Sequence, residues 1–167
     1  PMHALRTLTS ALATFDAEAD DDSAEANERK AIRLTAKMPA LIAGFARHRA
    51  GQEIIDPDPN LSIAGSFLTM LRGETPTETM EKALDVCLIL HADHGFNAST
   101  FASMVTISTL SDMYSAITTA IGTLKGPLHG GANEGVMHLL TEIGELENVD
   151  AFIAGKLCLL YTSPSPR

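Results

Sequence analysis

The chain has no tryptophan, and its two tyrosines and six phenylalanines bring the aromatic share to only 5%. A core so poor in large rings must be built from Ala, Leu, Ile, Met and Thr, a mix that favours helices packed through small residues over a β-sandwich. Cysteine is as scarce. Cys87 and Cys158 are the whole complement and lie in separate apolar runs, which is not a disulfide framework, so a reducing, cytoplasmic setting is expected. Positive charge is short as well: 12 Lys and Arg stand against 21 Asp and Glu, a net charge of −9. A nucleic-acid groove needs a basic surface, so nucleic acid is not an expected partner. No apolar run approaches the ~18 residues of a membrane span, and no charged-then-apolar leader opens the chain. It starts with Pro1 instead of Met, so the beginning of the protein is expected to lie upstream.

What is present reads as globular. Of 167 residues, 45% are hydrophobic and 20% charged, enough for one domain with a real core or for a piece of a larger one. Periodicity then gives helix after helix. Leu5, Leu8, Leu12 and Phe15 form one stripe over 3–15, and Ile32, Met38, Leu41, Ile42 and Phe45 form another over 26–50, with Gly51 just past the end. The acidic block from Asp16 to Glu25 reads as a solvated loop without function. DPDPN at 56–60 is a turn, because prolines so close forbid helix. SIAGSFLTMLRG is a short helix stopped by Gly73. In TPTE at 75–78, Thr75 is the expected cap, Pro76 the first helical residue and Glu78 the closure of a capping box. That helix runs through ALDVCLIL. Ser99 or Thr100 caps a segment to Leu110, Ser111-Asp112 caps another to Lys125, and a last clear helix covers about 132–143. No alternating strand pattern of useful length occurs, so the expected class is all-α. The end, KLCLLYTSPSPR, matches no helical period and is expected to be a non-native or disordered tail over 156–167.

Two clusters carry chemistry. HADHGFNAST at 91–100 crowds His91, Asp93, His94, Asn97 and Ser99 against the end of an apolar helix. As a metal site it is incomplete: a structural zinc needs four ligands, and the helix-borne H-E-x-x-H pattern needs a different spacing and a glutamate. A histidine at a helix C-terminus can simply bond the last carbonyls, but so dense a set of polar side chains points to a lined pocket. KGPLHGGANE at 125–134 places His129 on a tight turn before Gly130-Gly131, where backbone can approach a ligand closely, with Asn133 and Glu134 opening a helix. A histidine in the field of a helix N-terminus suits the role of neutral hydrogen-bond donor to a developing oxyanion, as in enzymes that enolise carbonyl compounds. The nearby N–H groups also suit an anionic ligand.

Together the clusters resemble the citrate synthase family. HADHGFNAST looks like its substrate-binding histidine motif, and GPLHGGANE like its catalytic-histidine loop. The 35 residues from His94 to His129 fit, as do TLSDMYSAITTAIGTLK between them and PDPNLSIAGSFLTMLRGETP upstream. The resemblance covers roughly 1–155 and is to the shorter bacterial and archaeal form, which includes 2-methylcitrate synthases.

The resemblance implies a multi-helical citrate synthase-like large domain, truncated, with the first helix of the small domain: 1–130 belonging to the former and 131–155 to the latter, CoA-binding one. It implies an acyltransferase at the entry of the tricarboxylic acid cycle, which enolises acetyl-CoA, condenses it with oxaloacetate and hydrolyses the citryl thioester. Acetyl-CoA is a substrate, so no cofactor is expected. By the match, His129 donates to the enol oxygen and His94 holds oxaloacetate, both as catalytic residues. Asn97 sits in the oxaloacetate site beside His91, whose role is less defined, and Ser99 orients the ring of His129. Leu128, Gly130 and Gly131 lie near the CoA thioester, and Asp93 is structural. The small-residue helix 113–124 suits the close packing of a homodimer. The family's aspartate base, second catalytic histidine and carboxylate-binding arginines have no match in this chain, and Glu134 and Glu142 do not replace them, so the chain alone is expected to be inactive. Propionyl-CoA is the alternative substrate. A non-catalytic helical scaffold and a His/Asp metal-binding protein are the alternatives of another class.

Overall fold

A computed structural model describes residues 1–92 and 94–162, and of 159–162 the backbone only. Among these residues there are eight α-helices, two 3₁₀ turns and no strand: α1 (Met2–Leu12), α2 (Ala24–Arg49), α3 (Ile63–Arg72), α4 (Glu78–Ala92), α5 (Ala98–Ile107), α6 (Met113–Leu124), α7 (Gly131–Ile143) and α8 (Val149–Thr162). The all-α expectation holds. Two compact units result, Pro1–Lys125 and the segment from Gly126 onward.

The helix boundaries follow local chemistry. Ser23, Ser62, Asn97 and Asp112 each sit in extended backbone and accept an amide N–H three residues on, so that α2, α3, α5 and α6 begin with one orphan donor satisfied. Gly73 ends α3 at φ 82°, a left-handed conformation that favours glycine. Two caps differ from expectation. α4 begins at Glu78 with Thr77, not Thr75, accepting from the Met80 amide at 3.3 Å. With Thr77 as the cap, Met80 stands where the box would need Glu or Gln, so no capping box forms; Glu81, one residue on, accepts from the Ser62 hydroxyl at 2.5 Å. α5 is capped by Asn97 instead of Ser99 or Thr100: its Oδ1 accepts from the Thr100 amide at 2.9 Å.

In the first unit, α6 packs against α1 and α5, and α3 bridges α2 and α4. The core is thin, four alanines interleaved with four larger residues: Ala26, Leu34, Ala43, Ala64, Met70, Tyr114, Ala116 and Ile121 among the described residues. Two of the expected stripes are only partly buried. Thr9, not Leu8, is the fully buried residue of α1, Phe15 is 84% exposed and Ile32 is exposed on α2. α2 also carries Pro39 inside it, which withholds one backbone donor without ending the helix.

The acidic block is a loop, but a wired one. Lys30 is fully buried, and its ammonium donates to the carbonyls of Ala19 and Asp21 at 3.2 and 2.7 Å. Arg33 bonds both Asp16 and Glu18 at 2.8 Å. In the second unit, α8 runs through Thr162, so helix continues past residue 156, where the periodic pattern breaks. Lys, Leu and Cys do not interrupt a helix, and apolar residues all round it leave no stripe to read. Lys156 pairs with Glu142 at 3.1 Å, tying α8 to α7. Residues 163–167 of the expected tail lie outside the described residues.

Candidate functional site

The histidine motif occupies the junction of α4 and α5. His91 is in the last turn of α4, exposed, with Nδ1 2.7 Å from the carbonyl oxygen of Cys87. A carbonyl only accepts, so Nδ1 carries the hydrogen and Nε2 is the ring's remaining site of chemistry. His91 thus does what a histidine at a helix end ordinarily does. Asp93 lies outside the described residues. His94 is exposed in the turn that follows, and Gly95 reverses the chain there at φ 65°. Phe96 and Phe101 meet edge to face at 5.8 Å across the start of α5.

Asn97 and Ser99 sit on the first turn of α5. The Asn97 oxygen is engaged as the helix cap. The Ser99 hydroxyl donates to the carbonyl of Ala120 on α6 at 3.1 Å, and further along the Thr106 hydroxyl donates to that of Thr119, also at 3.1 Å. These two bonds tie both ends of α5 to the middle of α6, at Thr119 and Ala120.

The second cluster belongs to the other unit. Gly126 accepts from the amides of His129 and Gly131 at 3.0 and 3.1 Å, which closes the tight turn. Leu128 is fully exposed at its tip. His129 is half-buried and directly precedes Gly130, the N-terminal flanking residue of α7, whose first helical residue is Gly131. No side chain caps α7; its first amides, of Gly131, Ala132 and Asn133, donate to the carbonyls of Gly126, His129 and Gly130 at 3.1 Å. Among the described residues no three His, Cys, Asp or Glu side chains gather to hold a metal ion, and no helix is long and apolar enough to cross a membrane.

Residues 1–158 match the family described as citrate synthase, C-terminal domain. The chain belongs to the citrate synthase family. It is 57% identical over 157 residues to citrate synthase 2 of Bacillus subtilis, covering 94% of this chain and 42% of that protein. It is 48% identical over 157 residues to the 2-methylcitrate synthase of Mycobacterium tuberculosis, covering 94% of this chain and 39% of the relative. Among solved structures, citrate synthase of Pyrobaculum aerophilum superposes with a TM-score of 0.78 at 42% identity, over 87% of this chain and 39% of that one. Citrate synthase of Thermoplasma acidophilum, solved as a ternary complex with carboxymethyl coenzyme A and oxaloacetate, gives a TM-score of 0.74 at 33% identity, over 90% of this chain and 39% of that one. The fold is thus citrate synthase-like, and the chain spans about two fifths of the length of these relatives.

The caps at Asn97 and Thr77 escaped the sequence reading because NAST and TPT each offer several side-chain oxygens within one turn of a plausible start. The bond between Asp16 and Tyr114, 98 residues apart, left no local signal at all.

Proposed function

We propose that this chain carries part of the active site of a citrate synthase that condenses acetyl-CoA with oxaloacetate. The observation that carries the reading is the occurrence of HADHGFNAST and GPLHGGANE, at the family's spacing, in a chain of that family. The hydroxyl bond from Ser99 to α6 supports it by holding the first turn of α5, directly after the His94–Asn97 turn, in a fixed position. So does the position of His129 directly before α7, in the field of that helix's N-terminus. In this reading His94 and Asn97 hold oxaloacetate, Asn97 with its amide nitrogen, since its oxygen caps α5. Ser99 orients the ring of His129, and Leu128, Gly130 and Gly131 lie beside the thioester. His129 stabilises the enol oxygen as a hydrogen-bond donor, an effect worth roughly a hundredfold or more in rate. His91 borders the substrate with Nε2. The large domain would extend to residue 130 and the CoA-binding domain would start at 131.

No residue here matches the family's aspartate base or its carboxylate-binding arginines, so we infer that the 167 residues alone do not turn over. The full enzyme would act as a homodimer in the cytoplasm. The test is a chimera in which residues 1–155 replace the matching segment of the Bacillus subtilis relative, assayed for CoA release with oxaloacetate. Turnover with acetyl-CoA by the chimera, and none by the 167-residue chain, is expected. An inactive but folded chimera contradicts the proposal. A preference for propionyl-CoA would favour the 2-methylcitrate synthase reading, which the 48% identity to such an enzyme keeps specific. One methylene is worth only about 1–3 kcal/mol, so both substrates are expected to react.

A further inference from the structure

The corner where α1, α2 and α6 meet is organised around one carboxylate. Asp16 follows the 3₁₀ turn Ala13–Phe15 that ends α1. Its Oδ2 accepts from the Tyr114 hydroxyl at 2.5 Å and from Arg33 at 2.8 Å, and its Oδ1 accepts the Glu18 amide at 3.0 Å. The donors come from the loop, from α2 and from α6. Tyr114 is 2% exposed, so its hydroxyl has little water to turn to if the carboxylate is lost. Arg33 differs: Glu18 holds it from the other side at 2.8 Å and remains as a partner.

The other charged groups of the corner are already committed. Arg29 is paired with Glu18. Lys30 is bound by the Ala19 and Asp21 carbonyls, and the Asp21 carboxylate accepts the Ser23 amide at 2.9 Å. On α6, Asp112 is engaged by Ser115 at the helix start. Arg6 of α1 lies toward the far end of α6, where a β-carbon at Gly122 would meet its Cδ at 4.0 Å. Asp16 is thus the carboxylate on which the Tyr114 hydroxyl depends.

We propose that Asp16 is a conformational latch: ionised, it holds the first half of α6 against the α1–α2 corner, and neutralised, it releases that half before the rest of the unit opens. The bonds from Tyr114, from the Glu18 amide and from Arg33 all favour the ionised form and lower the Asp16 pKa to about 2. The latch is therefore closed throughout the neutral range, and Asp16→Asn imitates its open state.

The test is amide hydrogen exchange, read by mass spectrometry on peptides from α6 (113–121) and α3 (63–72) of the whole chain at neutral pH. Asp16→Asn and Tyr114→Phe should each speed exchange in the α6 peptide by about tenfold or more, the factor one hydrogen bond to a charged group implies, with α3 unchanged. Asp16→Asn weakens the Tyr114 bond to a neutral one and Tyr114→Phe removes it, so the two act on the same contact and the double variant should exchange no faster than the faster single one. An equal rise in α3, an unchanged α6, or additive effects would overturn the latch. If Asp16→Asn does not fold, the wild-type chain is taken from pH 5 to pH 2 and corrected for intrinsic exchange. Protection lost first in α6 supports the latch, and simultaneous loss in α3 and α6 overturns it.

Discussion

The α1–α2–α6 corner and the α4–α5 segment lie in the same unit and are held in different ways. The corner has buried side chains on all three helices, among them Thr9, Lys30, Leu34 and Tyr114, and a carboxylate shared among three donors. α4 and α5 have no buried residue, and Val86, Ile89, Leu90, Phe101, Met104 and Val105 are exposed. The histidine motif sits in the second region. Its shape is set by the Asn97 cap, the left-handed Gly95 and the hydroxyl bonds between α5 and α6, not by burial. A turn built this way is ordered locally, while the apolar faces beside it are exposed.

Four substitutions or conditions can break or sharpen this contrast. The largest effect is expected in the corner: Leu34→Ala, at a 5% exposed position, should cost about 2–5 kcal/mol in denaturant unfolding. Acid should act at the same place. The carboxyl of Asp16 ionises at about 2 in the folded chain, against 3.8 ordinarily, so its contribution is complete above about pH 4 and is lost as the pH falls through 2. The unfolding midpoint should drop over that window, and Asp16→Asn should flatten the drop. In the motif region, Asn97→Ala should cost about 1 kcal/mol, the usual value of a helix cap, with exchange rising in α5. Smallest of all, Ile89→Glu on the 62% exposed face of α4 should change stability by no more than about 0.5 kcal/mol. It should nevertheless reduce self-association measured by light scattering. A large loss of stability from Ile89→Glu would erase the contrast.

Much of this was legible in the sequence where the signal is local. Gly73, Asp112 and the turn at DPDPN follow from residue type and spacing alone, and the two histidine clusters stand out by the density of their polar side chains and glycines. What was hidden is tertiary. Thr75 and Thr77 are equally plausible caps by residue type, and the bond from Ser62 to Glu81 joins residues 19 apart. The acidic block reads as solvated because nothing local shows that Arg33 and Tyr114 converge on Asp16. The stripe through Leu8 and Phe15 is periodic, yet α1 buries Thr9 instead, whose hydroxyl meets the Met38 sulfur of α2 at 3.9 Å. α8 had no amphipathic stripe to find.

The most direct test of the central claim is the turnover of the chimera carrying His129→Ala, compared with the unsubstituted chimera at saturating acetyl-CoA and oxaloacetate. If His129 supplies the hydrogen bond to the enol oxygen, kcat falls about a hundredfold or more while the protein remains folded. A kcat within a few fold of the unsubstituted chimera would contradict the account.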